Sequence, residues 1–137
     1  MRRLATCAAV AVSGLALSIV LATSMASAAG PASVTITSTG CGGTLFCFKP
    51  SMQMVSDGEG VKWTNSTSVT HTVTRCTPAA CGGLGPGSGT DSTFTSATIA
   101  ASGTFTHTFH GTGTYNYYCA IHGFAVMHGS VVVKAPK

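Results

Sequence analysis

Beyond about residue 28, the apolar residues of this chain recur with the period of a strand rather than a helix, in short runs separated by glycine-rich turns. Val34 and Ile36 alternate with Thr35 and Thr37, and Val61-Lys62-Trp63-Thr64 alternates in the same way. Successive side chains of a strand point to opposite faces, so each run buries one face and leaves the other to water. Val69, His71 and Val73 are expected on the buried face of a further strand, with Thr70, Thr72 and Thr74 opposite. Thr104 to Phe109, Tyr115 to Cys119 and Gly129 to Lys134 read as later strands, and Met52 and Met54 as core residues of another. Asp57-Gly58-Glu59-Gly60 and Gly111-Thr112-Gly113 are turn signals. Residues 82–90 (GGLGPGSGT) carry too much backbone entropy for a strand and read as a surface loop. No Lys and no helix follow them, so they are not a phosphate cradle. Many short strands with such turns predict an all-β fold of Greek-key type in a single domain, a sandwich or a barrel.

The chain begins Met1-Arg2-Arg3, runs apolar from Leu4 to about Ala22 and then reads Ala26-Ser27-Ala28. A basic start, an apolar stretch and a small-x-small site are the marks of a secretory signal peptide, expected to be cleaved after Ala28. The alternative, a membrane anchor, is disfavoured by Ser13, Gly14 and Ser18 within the run. Export to a periplasm or to the outside is the implied destination. Residues 29–137 then form the mature domain, whose five basic and three acidic residues give a formal charge of +2. No basic cluster survives that would suit a nucleic acid, and no membrane span remains in the mature form.

Five cysteines stay in the mature part: Cys41, Cys47, Cys76, Cys81 and Cys119. An oxidising compartment favours pairing, and an odd number leaves one over. Close spacing favours Cys41–Cys47 and Cys76–Cys81 among the three connectivities that four cysteines allow. That choice leaves Cys119 unpaired, although a buried structural cysteine or a different disulfide partner remains an alternative for it.

Cys119-Ala-Ile-His122-Gly-Phe-Ala-Val-Met127 brings a thiol, an imidazole and a thioether within nine positions, between two strands. Thiolate and imidazole favour copper, and a thioether suits the weak axial position of a blue-copper centre. Such a site needs a second imidazole from elsewhere, for which His71 is the candidate. Met127 alone would more often be a core gap-filler, and His71 alone an ordinary strand histidine. His107 shares a face with Phe105 and Phe109 and reads as structural, with a hydrogen-bond partner near the domain edge. His110 reads as solvated, and His128 is expected to point away from Met127.

The stretch Gly113-Thr-Tyr-Asn-Tyr-Tyr-Cys119-x-x-His122-x-x-x-x-Met127-x-Gly129 resembles the ligand loop of the plastocyanin and pseudoazurin group of cupredoxins. Val61-Lys-Trp-Thr-Asn65 and His71-Thr-Val are similar to that family's strand and first ligand. The resemblance implies a Greek-key β-sandwich with one copper near one end, held by His71, Cys119 and His122 with Met127 axial. It implies a one-electron carrier that meets redox partners through weak, transient contacts. The expected docking surface is an apolar patch around His122 that includes Phe124 and Ala125, with Tyr118 marking a second route. One departure stands out. The family often has Asn directly after its first His ligand, and here that position is Thr72, a shorter brace for the loop that holds the thiolate.

Four protein ligands leave no open position for a substrate, and no His-x-His pair marks further copper ions, so the chain reads as a monomeric carrier and not an enzyme. Two alternatives stand beside this reading: a copper-binding or delivery protein, and a cupredoxin-like module without an electron-transfer role.

Overall fold

The computed structural model describes residues 30–136; the predicted signal segment, residues 1–28, lies outside them. Eight strands make up two four-stranded sheets, and no helix occurs among the described residues. They are β1 (Ala32–Thr37), β2 (Cys47–Lys49), β3 (Met52–Ser56), β4 (Gly60–Asn65), β5 (Thr74–Arg75), β6 (Thr104–Thr108), β7 (Gly113–Tyr118) and β8 (His128–Lys134). One sheet runs β2-β1-β4-β6 and the other β3-β8-β7-β5. β1 pairs with β4 and β3 with β8 in parallel, and the remaining pairs are antiparallel. The fold is an all-β sandwich, the one of the two all-β forms open to the strand pattern that the resemblance implies.

Inward residues of both sheets fill the space between them. Val34 and Ile36 of β1, Val61 and Trp63 of β4, Tyr115 and Tyr117 of β7, and Val131 and Val133 of β8 are all buried. Trp63 is the hub, with Phe105, Phe94 and Tyr117 at centroid distances of 5.5, 5.6 and 5.6 Å. Its indole N–H donates to the Tyr117 hydroxyl at 3.2 Å, which satisfies the polar edge of a fully buried ring. Burial pushes the Tyr117 phenol above its usual range.

Two expectations need revision. Met52 and Met54 are exposed, not core, because β3 turns Val55 inward and leaves the methionines on its outer face. Val69 is likewise exposed, since residues 66–70 form a bend rather than a strand; parity with His71 and Val73 fails there. Residues 82–90 do form a loop, yet it is tied along the edge of β7. Gly89 N–H donates to Thr114 O and Asn116 N–H to Pro86 O, at 3.0 and 3.1 Å. Arg75 adds bonds from its guanidinium to the carbonyls of Gly89 and Asp91.

Candidate metal centre

Two disulfides, Cys41–Cys47 and Cys76–Cys81, match the pairing expected from spacing, and Cys119 is free and buried. Cys119 directly follows β7, and the parity of that strand continues to turn it inward with Tyr115 and Tyr117. The chain then folds back in one tight loop to β8. Gly123 N–H donates to Cys119 O at 2.9 Å, and Cys119 N–H donates to Met127 O at 3.0 Å. Gly123 takes φ of 82°, a left-handed conformation that glycine adopts without strain. The loop thereby places His122 beside the thiol and buries Met127 in the same core cluster as Cys119.

His71 reaches the site from the other side. Its backbone pairs with Ile99 in both directions, at 3.1 and 2.8 Å, which fixes an otherwise irregular segment. Asn65, fully buried at the end of β4, holds that segment in place. Its amide donates to the carbonyls of Val69, Ile99 and Ala100, and its Oδ1 accepts from the backbone and hydroxyl of Thr67. Thr67 Oγ1 in turn lies 2.9 Å from His71 Nε2. With its own proton given to Asn65 Oδ1 at 2.8 Å, the hydroxyl oxygen accepts from His71 Nε2–H. That places the lone pair of the imidazole on Nδ1, which faces Cys119 Sγ.

His71 Nδ1 and His122 Nδ1 lie 3.8 and 3.3 Å from Cys119 Sγ, and the ligand atoms of all three residues fall within 4.8 Å of one another. Metal–sulfur and metal–nitrogen bonds of about 2.3 and 2.0 Å put the sulfur and each nitrogen of a three-coordinate ion roughly 3.7 Å apart, close to the two distances from Cys119 Sγ. Among the described residues it is the only such cluster of His, Cys, Asp or Glu. Burial first, and the nearby His122 second, push His71 down to about 4, so its imidazole stays neutral and able to ligate at ordinary pH.

Residues 34–134 match the family model of the copper binding proteins of the plastocyanin/azurin family. The chain belongs to that family. Among solved structures it is similar to a purple cupredoxin from Nitrosopumilus maritimus, at 26% identity over 75% of this chain and 99% of that one, with a TM-score of 0.57. It is similar also to two mutants of amicyanin in Cu(I) forms. These share 25% and 26% identity over 80% of this chain and 87% of theirs, each with a TM-score of 0.56. Copper is thus the metal of this cupredoxin, and proteins of its family are in general copper-binding electron carriers.

Thr72 contacts the loop through both its backbone and its side chain. Its backbone N–H points at Cys119 Sγ at 3.3 Å, and its hydroxyl accepts from Ala120 N–H at 2.8 Å. The loop is therefore pinned directly behind the thiol. The other histidines stay away from the cluster. His107 bonds to Asp91 at 2.8 Å, as expected of a structural residue, and His110 is exposed. His128 is exposed, stacked on Phe124 and bonded to its carbonyl at 2.8 Å. Of the expected docking residues, Ala125 is exposed, and Phe124 and Tyr118 are half-buried. The sequence reading passed over Thr67 and Phe46. The second packs its ring on both imidazoles, at centroid distances of 4.9 Å to His71 and 4.8 Å to His122.

Proposed function

We propose that this cupredoxin is an exported one-electron carrier whose copper is held by His71, Cys119 and His122, with Met127 as the axial ligand. The observation that carries this reading is the free, buried Cys119 between two imidazoles whose nitrogens face its sulfur. Bound there, copper supplies a Cu(II)/Cu(I) couple. The protein's part is to hold the donors still. His71 is locked by Thr67 and Ile99, and the thiol sulfur by Thr72 and the bonds of the 119–127 loop. A donor set this constrained needs little rearrangement on electron transfer, and four protein ligands leave no position for a substrate, which favours a carrier over an enzyme.

The docking surface is assigned to the face around His122. Segments 41–48, 63–74 and 119–133, which supply the site and its surroundings, contain no Asp, Glu, Lys or Arg. Leu45, Ile121 and Val69 stand 76%, 51% and 39% exposed in these segments, and Ala125 is exposed as well. Redox partners would therefore meet an uncharged, apolar face in a small transient interface, and Tyr118, next in chain to Cys119, offers the second route. Among the described residues no helix is long and apolar enough to cross a membrane. Residues 1–28 are proposed as the signal peptide that carries residues 29–137 across one, and the mature chain is proposed to act as a monomer.

Voltammetry of the copper-loaded protein distinguishes a carrier from a delivery protein. A reversible one-electron wave, stable through repeated cycles at low ionic strength and at high, is expected. Loss of copper to a chelator on each reduction would instead favour delivery and contradict the carrier reading.

A further inference from the structure

The two imidazoles are not supported alike. His71 has Thr67 on its outer nitrogen and a two-way backbone pairing with Ile99. His122 sits half-buried on the 119–127 loop, and among the described residues its Nε2 makes no hydrogen bond. Apart from the contact of its Nδ1 with Cys119 Sγ, its ring orientation is set by packing. Its aromatic neighbours are His71, at a centroid distance of 4.7 Å, and Phe46, at 4.8 Å and tilted by 48°. Phe46 touches His71 edge-on as well, so the three rings form a closed triangle with sides of 4.7 to 4.9 Å.

Phe46 is itself held in an unusual way. It precedes Cys47, and the Cys41–Cys47 disulfide closes the loop that carries it, with Cα atoms 5.5 Å apart. Inside the loop Thr44 is tied to Cys41 through its N–H and hydroxyl, and its hydroxyl also lies 3.1 Å from Phe46 O. Gly42 and Gly43 take positive φ values, which let so short a loop turn. Cys47 opens β2, which pairs with β1. The ring is thus presented to the site from a staple anchored in the opposite sheet to that of β7 and β8.

We propose that Phe46 is a positioning residue for the copper centre, and that the Cys41–Cys47 loop is the clamp that holds its ring against His122. The inference rests on the copper reading above and adds to it an element outside the ligand set. A hydrogen-bonded partner usually orients a ligating imidazole; here an aromatic face does so for the second one. An aromatic contact is short-ranged and orientation-dependent, so removing the ring frees the rotation of His122 while leaving His71 locked.

The test compares the copper-loaded wild type with Phe46→Leu, Phe46→Tyr and the double variant Cys41→Ser/Cys47→Ser. Copper affinity is measured by competition, and the ring resonances of both histidines by NMR in the Cu(I) form. Phe46→Leu is expected to weaken copper binding about tenfold, the low end for loss of an outer partner. It should broaden or split the His122 ring signals and leave those of His71 sharp. Phe46→Tyr, which keeps the ring, should restore both readouts, and the double serine variant should show the His122 broadening with Phe46 still present. Unchanged affinity with sharp His122 signals in Phe46→Leu would overturn the proposal. So would equal broadening at both histidines, which marks a general loosening. If the wild type shows no thiolate-to-copper absorption band, the copper reading itself falls and the clamp with it; a normal band with an unaffected Phe46→Leu variant removes only the clamp.

Discussion

Replacing Thr67 by Val keeps the shape of the side chain and removes one hydroxyl, and the structure says where the cost falls. In the metal-free protein the substitution leaves His71 Nε2, in a fully buried ring, without its partner at 2.9 Å. An orphaned buried polar group costs about 1–3 kcal/mol. The metal-free ring has an escape, however: the proton can move to Nδ1 and face Cys119 Sγ, 3.8 Å away. The penalty should then sit near the low end, about 1 kcal/mol, which for a domain of this size lowers Tm by roughly 4–8 °C. With copper present that escape is closed, because Nδ1 must carry the lone pair. Loss of an outer partner of a ligating histidine typically weakens metal binding 10- to 100-fold. Each tenfold is about 1.4 kcal/mol. Urea unfolding of both forms, with copper held in constant excess, should show a larger stability loss in the loaded protein than in the metal-free one, by about 1.4–2.8 kcal/mol. Thr67→Ser should recover most of it. Equal losses in the two forms would refute the argument, since they would mean that Thr67 supports the bend and not the tautomer of His71.

Other perturbations probe the frame around the site. Burial alone would raise the Asp91 carboxyl, but hydrogen bonds from Thr93 and His107 outweigh it and hold the group well below the usual carboxylate range. A lowered folded-state pKa contributes stability in full above the unfolded value of about 3.9 and loses it as pH falls toward the folded one. Asp91→Asn should therefore cost about 1–2 kcal/mol at pH 7 and show a shallower acid decline below pH 4, read by circular dichroism; curves parallel to wild type would contradict this. Gly89→Ala would drive a methyl into the Tyr115 ring where the 82–90 loop lies on β7, and should lower stability by about 1–3 kcal/mol, checked by thermal unfolding. Ile121→Glu, at the exposed edge of the site, should slow electron self-exchange while leaving the visible spectrum unchanged. A changed spectrum would mean that Ile121 shapes the ligand loop instead of the docking face.

What could be read from the sequence was what is local in the chain. Cys119, His122 and Met127 lie on one loop, so their relation is written in their spacing, and the same is true of the two disulfides, which close over separations of 6 and 5 residues. Alternation reveals a strand but does not say which of its faces is covered: Met52 and Met54 share a parity, and it is Val55 on the other that packs inward. Parity with Val69 and Val73 points His71 inward, and His71 is buried although Val69 is exposed. Asn65 and Thr67 bend the chain between them through side-chain bonds that no alternation pattern encodes. Phe46 was out of reach for another reason. Its contacts with His71 and His122 join residues 25 and 76 positions apart, brought together only once both sheets have formed.

The most direct test of the copper centre is a copper(II) titration of residues 29–137, followed by visible absorption and electron paramagnetic resonance, beside a Cys119→Ser variant. An intense blue or purple band that saturates at one copper per chain, with unusually small copper hyperfine splitting, is expected, and both signatures should vanish in the variant. A pale spectrum with ordinary hyperfine splitting, the same in wild type and Cys119→Ser, would show that the thiolate does not bind the metal and would contradict the proposed site.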